Sequence, residues 1–319
     1  MMPGSMQSEN PPVWEPLVFG KTARADHSYL AVPASFGSDD RAWAEGFLRG
    51  SRHQASYACA FRVARFFLFK NLTYCGVGLS LPATMLSEDK SKTFDFEGRE
   101  LYVTLSAVAR YDEAKFPERP HHPGIPELGA LKHNLRAVFG PLYEEFVIGR
   151  WDEESPGEGR TLPAVSSQPR NWFPTDLPVI SWTPPFALDP DTGLEPDDDG
   201  RVNVWPLSEQ DKLWSAVCLA KPPISLCLNL INEQDALAST SRFGNVILEK
   251  SKDKRTLYRV NDARPADPGK EDPGHSAAKI DSPEEDTLPP QDSKRPSLFE
   301  IKVLGRKIIG LNLPGSGKR

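Results

Sequence analysis

Apolar positions recur at helical spacing in some stretches of the chain and alternate at strand spacing in others. Ser38-Asp39-Asp40 precede a segment carrying Trp43, Phe47 and Leu48. That spacing predicts a capped helix beginning near Arg41 and interrupted at Gly50-Ser51. Over residues 127–150, Leu128, Leu131, Leu135, Val138, Phe139, Leu142 and Phe146 share a helical face. Gly140-Pro141 is expected to kink or split that helix. A shorter helix is expected around residues 211–218. Residues 57–69 are apolar nearly all round. Their alanines favour a buried helix, whereas Phe66-Phe67-Leu68-Phe69 suit a central strand, and periodicity leaves both open.

Strand signals come mostly in pairs. Residues 93–96 and 101–105 flank Glu97-Gly98-Arg99, which reads as a β-hairpin with glycine at the turn. Residues 246–249 and 256–260 flank the charged turn 250–255, a second hairpin. Residues 298–303 and 307–313 flank Leu304-Gly305-Arg306, a third, whose apolar content places it in the main sheet. Single strands are expected at 202–205 and 224–230. The fold class is therefore α+β: a mainly antiparallel sheet built from hairpins, a few helices and long Pro-rich irregular segments.

Those irregular segments set the organisation. Residues 1–20 are Pro-rich and expected to be extended, and 117–126 read as a loop. Over 152–200, prolines recur every few residues with Trp172, Phe173, Trp182 and Phe186 between them. This excludes an interior strand or a long helix and suggests an excursion draped over the core. Residues 262–293 hold nine acidic and three basic residues, a net charge equal to the −6 of the whole chain. They cannot bury enough apolar area to offset their ordering entropy, so a disordered acidic insertion is expected. The division is an α+β part over 1–150, a Pro/Trp excursion over 151–201 and a β-rich part over 202–319, all of which one composite domain could accommodate.

Composition narrows the class further. The 319 residues can form a sizeable core. Cys59, Cys75, Cys218 and Cys227 match no zinc or CxxC spacing and sit among apolar residues, so a reducing, cytoplasmic setting is expected. Met1 to Asn10 is too polar for a signal peptide, and Met6 could be the native start. The longest apolar run carries Arg62 and Arg65 and falls short of the about 20 apolar residues a bilayer span needs, so no membrane association is expected. Basic residues gather at Arg41, Arg49, Arg52, Arg62, Arg65 and Lys70, and again at Lys250, Lys252, Lys254 and Arg255. In a net acidic chain these read as solvated faces first. Nucleic-acid contact through the second group is the sharper alternative.

Candidate chemistry is sparse. Gly310 to Lys318 resembles a phosphate loop only superficially, since Asn312 stands where the first glycine belongs and no helix follows. Glu300 and Lys302 with Asp292 resemble the acidic-acidic-lysine arrangement of metal-dependent nucleases, though alternation on a strand would also place Glu300 and Lys302 on a solvent face. Glu195, Asp197, Asp199 and Asn203 with Gly200 fall at calcium-loop positions, but Pro206 replaces the closing glutamate. His121 and His122, with His133 and Glu118 nearby, are a further cluster, although adjacent histidines on an extended chain point apart. No nucleophile elbow or zinc-protease helix is present.

The reading that follows is a non-enzymatic interaction or accessory subunit of a larger cytoplasmic assembly, with a bacterial setting compatible, no cofactor and a protein partner. Its candidate anchors are Trp172, Phe173, Trp182 and Phe186, because tryptophan dominates interface energetics and extended backbone docks at low entropic cost. The competing account is that they pin the excursion to its own domain. The alternative function is a metal-dependent nuclease or hydrolase using Glu300 and Lys302 with Asp292. A weak metal set is Asp197, Asp199 and Asn203.

Overall fold

The computed structural model describes residues 13–22, 27–52, 63–110, 124–151, 171–174, 176–180, 194–238 and 242–259. The chain divides into two units, Met1–Ala263 and Arg264–Arg319, and every described residue belongs to the first. The expected acidic insertion and the third hairpin therefore lie outside the described residues.

Among the described residues, nine strands form one sheet. They are β1 (Trp14–Gly20), β2 (Ser28–Ala31), β3 (Arg65–Lys70), β4 (Tyr74–Pro82), β5 (Tyr102–Arg110), β6 (Arg201–Trp205), β7 (Ile224–Leu230), β8 (Asn245–Leu248) and β9 (Arg255–Tyr258), in the order β2-β1-β5-β4-β3-β7-β8-β6-β9. Pairing is antiparallel except that β8 runs parallel to both β7 and β6. The α+β expectation holds at this level. Strands from before and after the Pro/Trp excursion share the sheet, joined where β3 pairs with β7.

Each face has its own helical cover. On one face Phe66, Leu68, Val77, Leu79, Leu105, Leu226 and Ile247 pack beneath α3 (Leu128–His133), α4 (Leu135–Tyr143) and α5 (Gln210–Leu219). On the other, Leu17, Phe19, Phe67, Phe69, Val202, Val204 and Val246 pack beneath α1 (Ser38–Arg52) and α6 (Glu233–Leu237). The two-residue alternation of β3 divides Phe66/Leu68 from Phe67/Phe69 in this way, which resolves residues 65–70 as a central strand. Its antiparallel neighbour β4 carries Gly76 opposite Phe69 and Gly78 opposite Phe67. A Cβ at Gly76 would lie 2.3 Å from the Phe69 ring. The glycines are there to let the two rings lie on the sheet. Pro16 of β1 pairs with Ala107 of β5 at a level that β2 does not reach, so its missing N–H breaks no ladder.

Several expectations are corrected. Helix α1 starts at Ser38 and runs through Gly50-Ser51, both buried. Gly37 stands just before it, and its N–H donates to the Asp40 carboxylate at 2.9 Å. The 127–150 helix divides at Asn134 rather than at Gly140-Pro141. Pro141 sits inside α4, which passes into a π turn over Glu144–Ile148. The hairpin expected around Gly98 is a turn closed by a single bridge, Phe94 with Glu100, because Thr93 ends the short helix α2 (Lys90–Thr93). Gly98 does take a positive φ, of 75°. The hairpin expected across 250–255 does not pair with itself: β6 lies between β8 and β9, bonded to each.

Candidate functional site

Four charged side chains of the described residues, Arg65, Lys70, Asp95 and Asp235, are buried inside the fold. Arg65 of β3 and Asp235 of α6 form an ion pair at 3.5 Å with both side chains 1% exposed. Arg65 also donates to Ser51 O at 3.2 Å. Across the sheet from Arg65 run Ser80 and then Thr104, joined hydroxyl to hydroxyl at 2.7 Å, and Ser80 reaches the Ser51 hydroxyl at 2.6 Å. Burial pulls the guanidinium below its ordinary range, and Cys227 and Asp235 oppose the shift. Lys70, at the other end of β3, donates to the carbonyls of Val217, Cys218 and Ala220 at 3.1, 2.9 and 2.6 Å. It thus caps the C-terminus of α5 from within the core, where the helix dipole favours a cation. Burial pushes the Cys227 thiol up to about 12 and the Cys218 thiol well above its ordinary value. Both stay protonated and unreactive at neutral pH.

In the segment read as a calcium loop, Glu195 and Asp198 both pair with Arg201. Asp197 turns inward and accepts from Ser225 N at 2.9 Å. Asp198 closes the turn onto Gly200 N and Arg201 Nε. Asn203 lies in β6 and accepts from the Thr256 hydroxyl at 3.1 Å. No three His, Cys, Asp or Glu side chains gather into a metal-binding group among the described residues. Asp197 and Asn203 are each engaged within the fold, by Ser225 and Thr256.

Burial pushes the Asp197 carboxyl up from 3.8 to about 6, against hydrogen bonds from Ser225 and Gly244 and the charge of Arg259. A raised carboxyl keeps its proton in the folded state while the unfolded chain has lost it. Its favourable contribution is complete below about pH 4 and is lost as pH rises through about 6, on the order of 3 kcal/mol in all. Asp197→Asn, whose amide oxygen can still accept from Ser225, is expected to remove this dependence. Urea midpoints of both proteins at pH 4 and 7.5 check it: the wild type should lose stability relative to the variant at the higher pH.

Trp172 and Phe173 are internal. Trp172 is 7% exposed, its ring 5.1 Å from Phe146, and its backbone N–H donates to Trp14 O at 3.2 Å. Phe173 packs on Trp14 at 4.8 Å and on Phe139 at 6.2 Å. Neither presents an anchor to a partner; they pin the excursion to the α4 side of the sheet. Trp182, Phe186, His121, His122, Asp292, Glu300 and Lys302 lie outside the described residues, as does the Gly310 to Lys318 segment. His133 ends α3. Of the N-terminal basic residues, Arg65 and Lys70 are buried as above, and Arg49 and Arg52 lie over the Phe19 ring. No helix among the described residues is long and apolar enough to cross a membrane.

The second basic group has a different setting. The parallel strands β7, β8 and β6 end on the same edge of the sheet. From β6 the chain leaves through α5 on one face, and from β7 through α6 on the other. Carboxyl ends of parallel strands whose connections part to opposite faces are where open sheets leave a crevice. A β-bulge at the end of β7, with Asn229 at φ 60°, re-aims the chain there. The result is an open cavity of about 450 Å³ lined by Ile231, Asn232, Glu233, Gln234, Leu248, Lys250, Ser251 and Arg255. Arg255 is fixed by an ion pair with Glu233 of α6. Lys254 lies over the Trp205 ring at 4.2 Å. Lys250 and Lys252 are exposed.

Beside this cavity runs β9, which stands at one end of the strand order among the described residues. Arg259 N donates to Gly200 O at 3.0 Å, next in register to the pair Arg201 with Tyr258. Antiparallel alternation then turns the backbone groups of Arg255 and Leu257 toward β6 and those of Thr256 and Tyr258 outward. Leu257 packs into the core beneath α1 and α6, whereas Tyr258 is 71% exposed. Among the described residues β9 has β6 as its one strand neighbour. Sequence reading found the basic residues but neither the cavity nor the edge. Both depend on β6 entering between β8 and β9, for which the local sequence of 245–259 carries no signal.

The class these features define is an α+β domain whose described residues form a nine-stranded mixed sheet with the basic strand β9 at one end. The chain matches no known protein-family model and no curated protein.

Proposed function

We propose that this protein is a non-enzymatic interaction subunit of a larger cytoplasmic assembly, and that it binds an extended acidic segment of a partner protein along β9. The observation that carries the reading is the outward-facing backbone of Thr256 and Tyr258 on a strand flanked by Lys250, Lys252, Lys254 and Arg255. An exposed sheet edge is a template for another strand, and natural proteins that do not use one shield it. Its N–H and C=O groups complement a peptide backbone rather than a phosphate chain. The surrounding cations select acidic side chains and speed encounter. The commitment of Arg65, Asp235, Lys70 and Asp197 to internal partners favours a binding role over catalysis. The buried thiols of Cys218 and Cys227 suit a reducing compartment. Backbone amide exchange at Thr256 and Tyr258, with and without an acidic strand-forming peptide, tests the reading.

A further inference from the structure

We infer that the cavity between α6 and the 250–255 turn is the specificity pocket of this edge, and that it takes one aspartate or glutamate side chain of the docked strand. The inference rests on the edge-docking reading. Arg255 belongs both to β9 and to the cavity wall, which ties the cavity to this strand. Lys250 lines that cavity and makes no ion pair with any described residue. Asn232 and Gln234 add amide hydrogen-bond donors, and Ile231 and Leu248 form an aliphatic wall for the methylenes of the incoming side chain.

Charge sets the ligand class. The lining holds two cations, Lys250 and Arg255, and one anion, Glu233, already bound to Arg255. One carboxylate balances the remaining charge. A phosphate dianion would bring a second negative charge beside Glu233, where like charges repel. The cavity is an order of magnitude larger than a single water site, so it has room for a carboxylate and an aliphatic neighbour from the same peptide.

The test is fluorescence anisotropy on the full-length protein with a labelled peptide of alternating valine and glutamate, and its counterpart with lysine for glutamate. Wild type is expected to prefer the acidic peptide. Lys250→Glu should weaken that peptide about tenfold or more and erase the preference, while Lys252→Glu, an equal charge change outside the lining, should change it by less than about threefold. Thr256→Pro removes an N–H that points away from β6, so the sheet keeps its ladder, and it should abolish binding of the acidic peptide. Equal losses in the Lys250 and Lys252 variants would overturn the pocket. So would full acidic-peptide affinity in Lys250→Glu alongside loss in Thr256→Pro, which spares the edge reading. Full binding by Thr256→Pro, or no binding by wild type, would overturn the edge reading and the pocket with it.

Discussion

Lys70→Met is expected to lower the free energy of unfolding by about 3–5 kcal/mol, among the largest effects any single side chain of the described core should show. Three carbonyls at the end of α5, those of Val217, Cys218 and Ala220, take their donor from this ammonium. Methionine matches the length of the stem and packs where it packs, so the loss isolates the head group. Each carbonyl left buried without a donor costs about 1–3 kcal/mol. Burial lowers the lysine's own proton affinity, and that desolvation cost is already part of the wild-type balance. Denaturant midpoints with an unchanged m-value check the figure. A loss below about 1 kcal/mol would mean that water or local rearrangement supplies the three carbonyls instead.

Trp172→Ala is expected to cost about 3–5 kcal/mol of stability, as large-to-small changes in packed cores do. The indole is buried against Phe146, beside the Phe173 ring that fills the gap between Trp14 and Phe139. Below its unfolding transition the variant should still bind the acidic peptide as the wild type does, because Trp172 and Phe173 pack on the α3–α4–α5 side of the sheet and Leu257 of β9 packs on the other. Denaturation and peptide titration on the same sample separate the two effects. A variant of unaltered stability that no longer binds would return Trp172 to the role of a partner anchor.

The elements legible in the sequence are those whose register is local. Helix α5 and strands β6 and β7 appear within a few residues of where periodicity puts them, and β7 appears with the bounds expected, because Ile224 to Leu230 is a short apolar run bounded by prolines and a polar turn. Helix α1 was legible from its acidic first turn. Strand β4 was not, since Gly76, Gly78 and Pro82 read as breakers. Their reason lies in Phe67 and Phe69 on the neighbouring strand, a cross-strand relation that no window along the chain contains. The same limit explains the failed hairpins. Residues 245–258 carry two strands and a charged turn, which locally favours pairing, but β6, separated by some forty residues, bonds more favourably between them. The candidate site inherits that limit. Lys250, Lys252, Lys254 and Arg255 were visible as a charge group, whereas Ile231, Asn232 and Gln234 enter the site through the parallel packing of β7 on β8.

Amide hydrogen exchange resolved to single residues tests the edge most directly. In the unbound protein the Thr256 and Tyr258 amides should exchange much faster than that of Leu257, whose N–H faces β6. Saturation with the valine–glutamate peptide should slow Thr256 and Tyr258 by about tenfold or more and leave Leu257 little changed, because an added strand protects the outward groups alone. Peptide binding that leaves both outward amides at their unbound rates would contradict strand addition at β9.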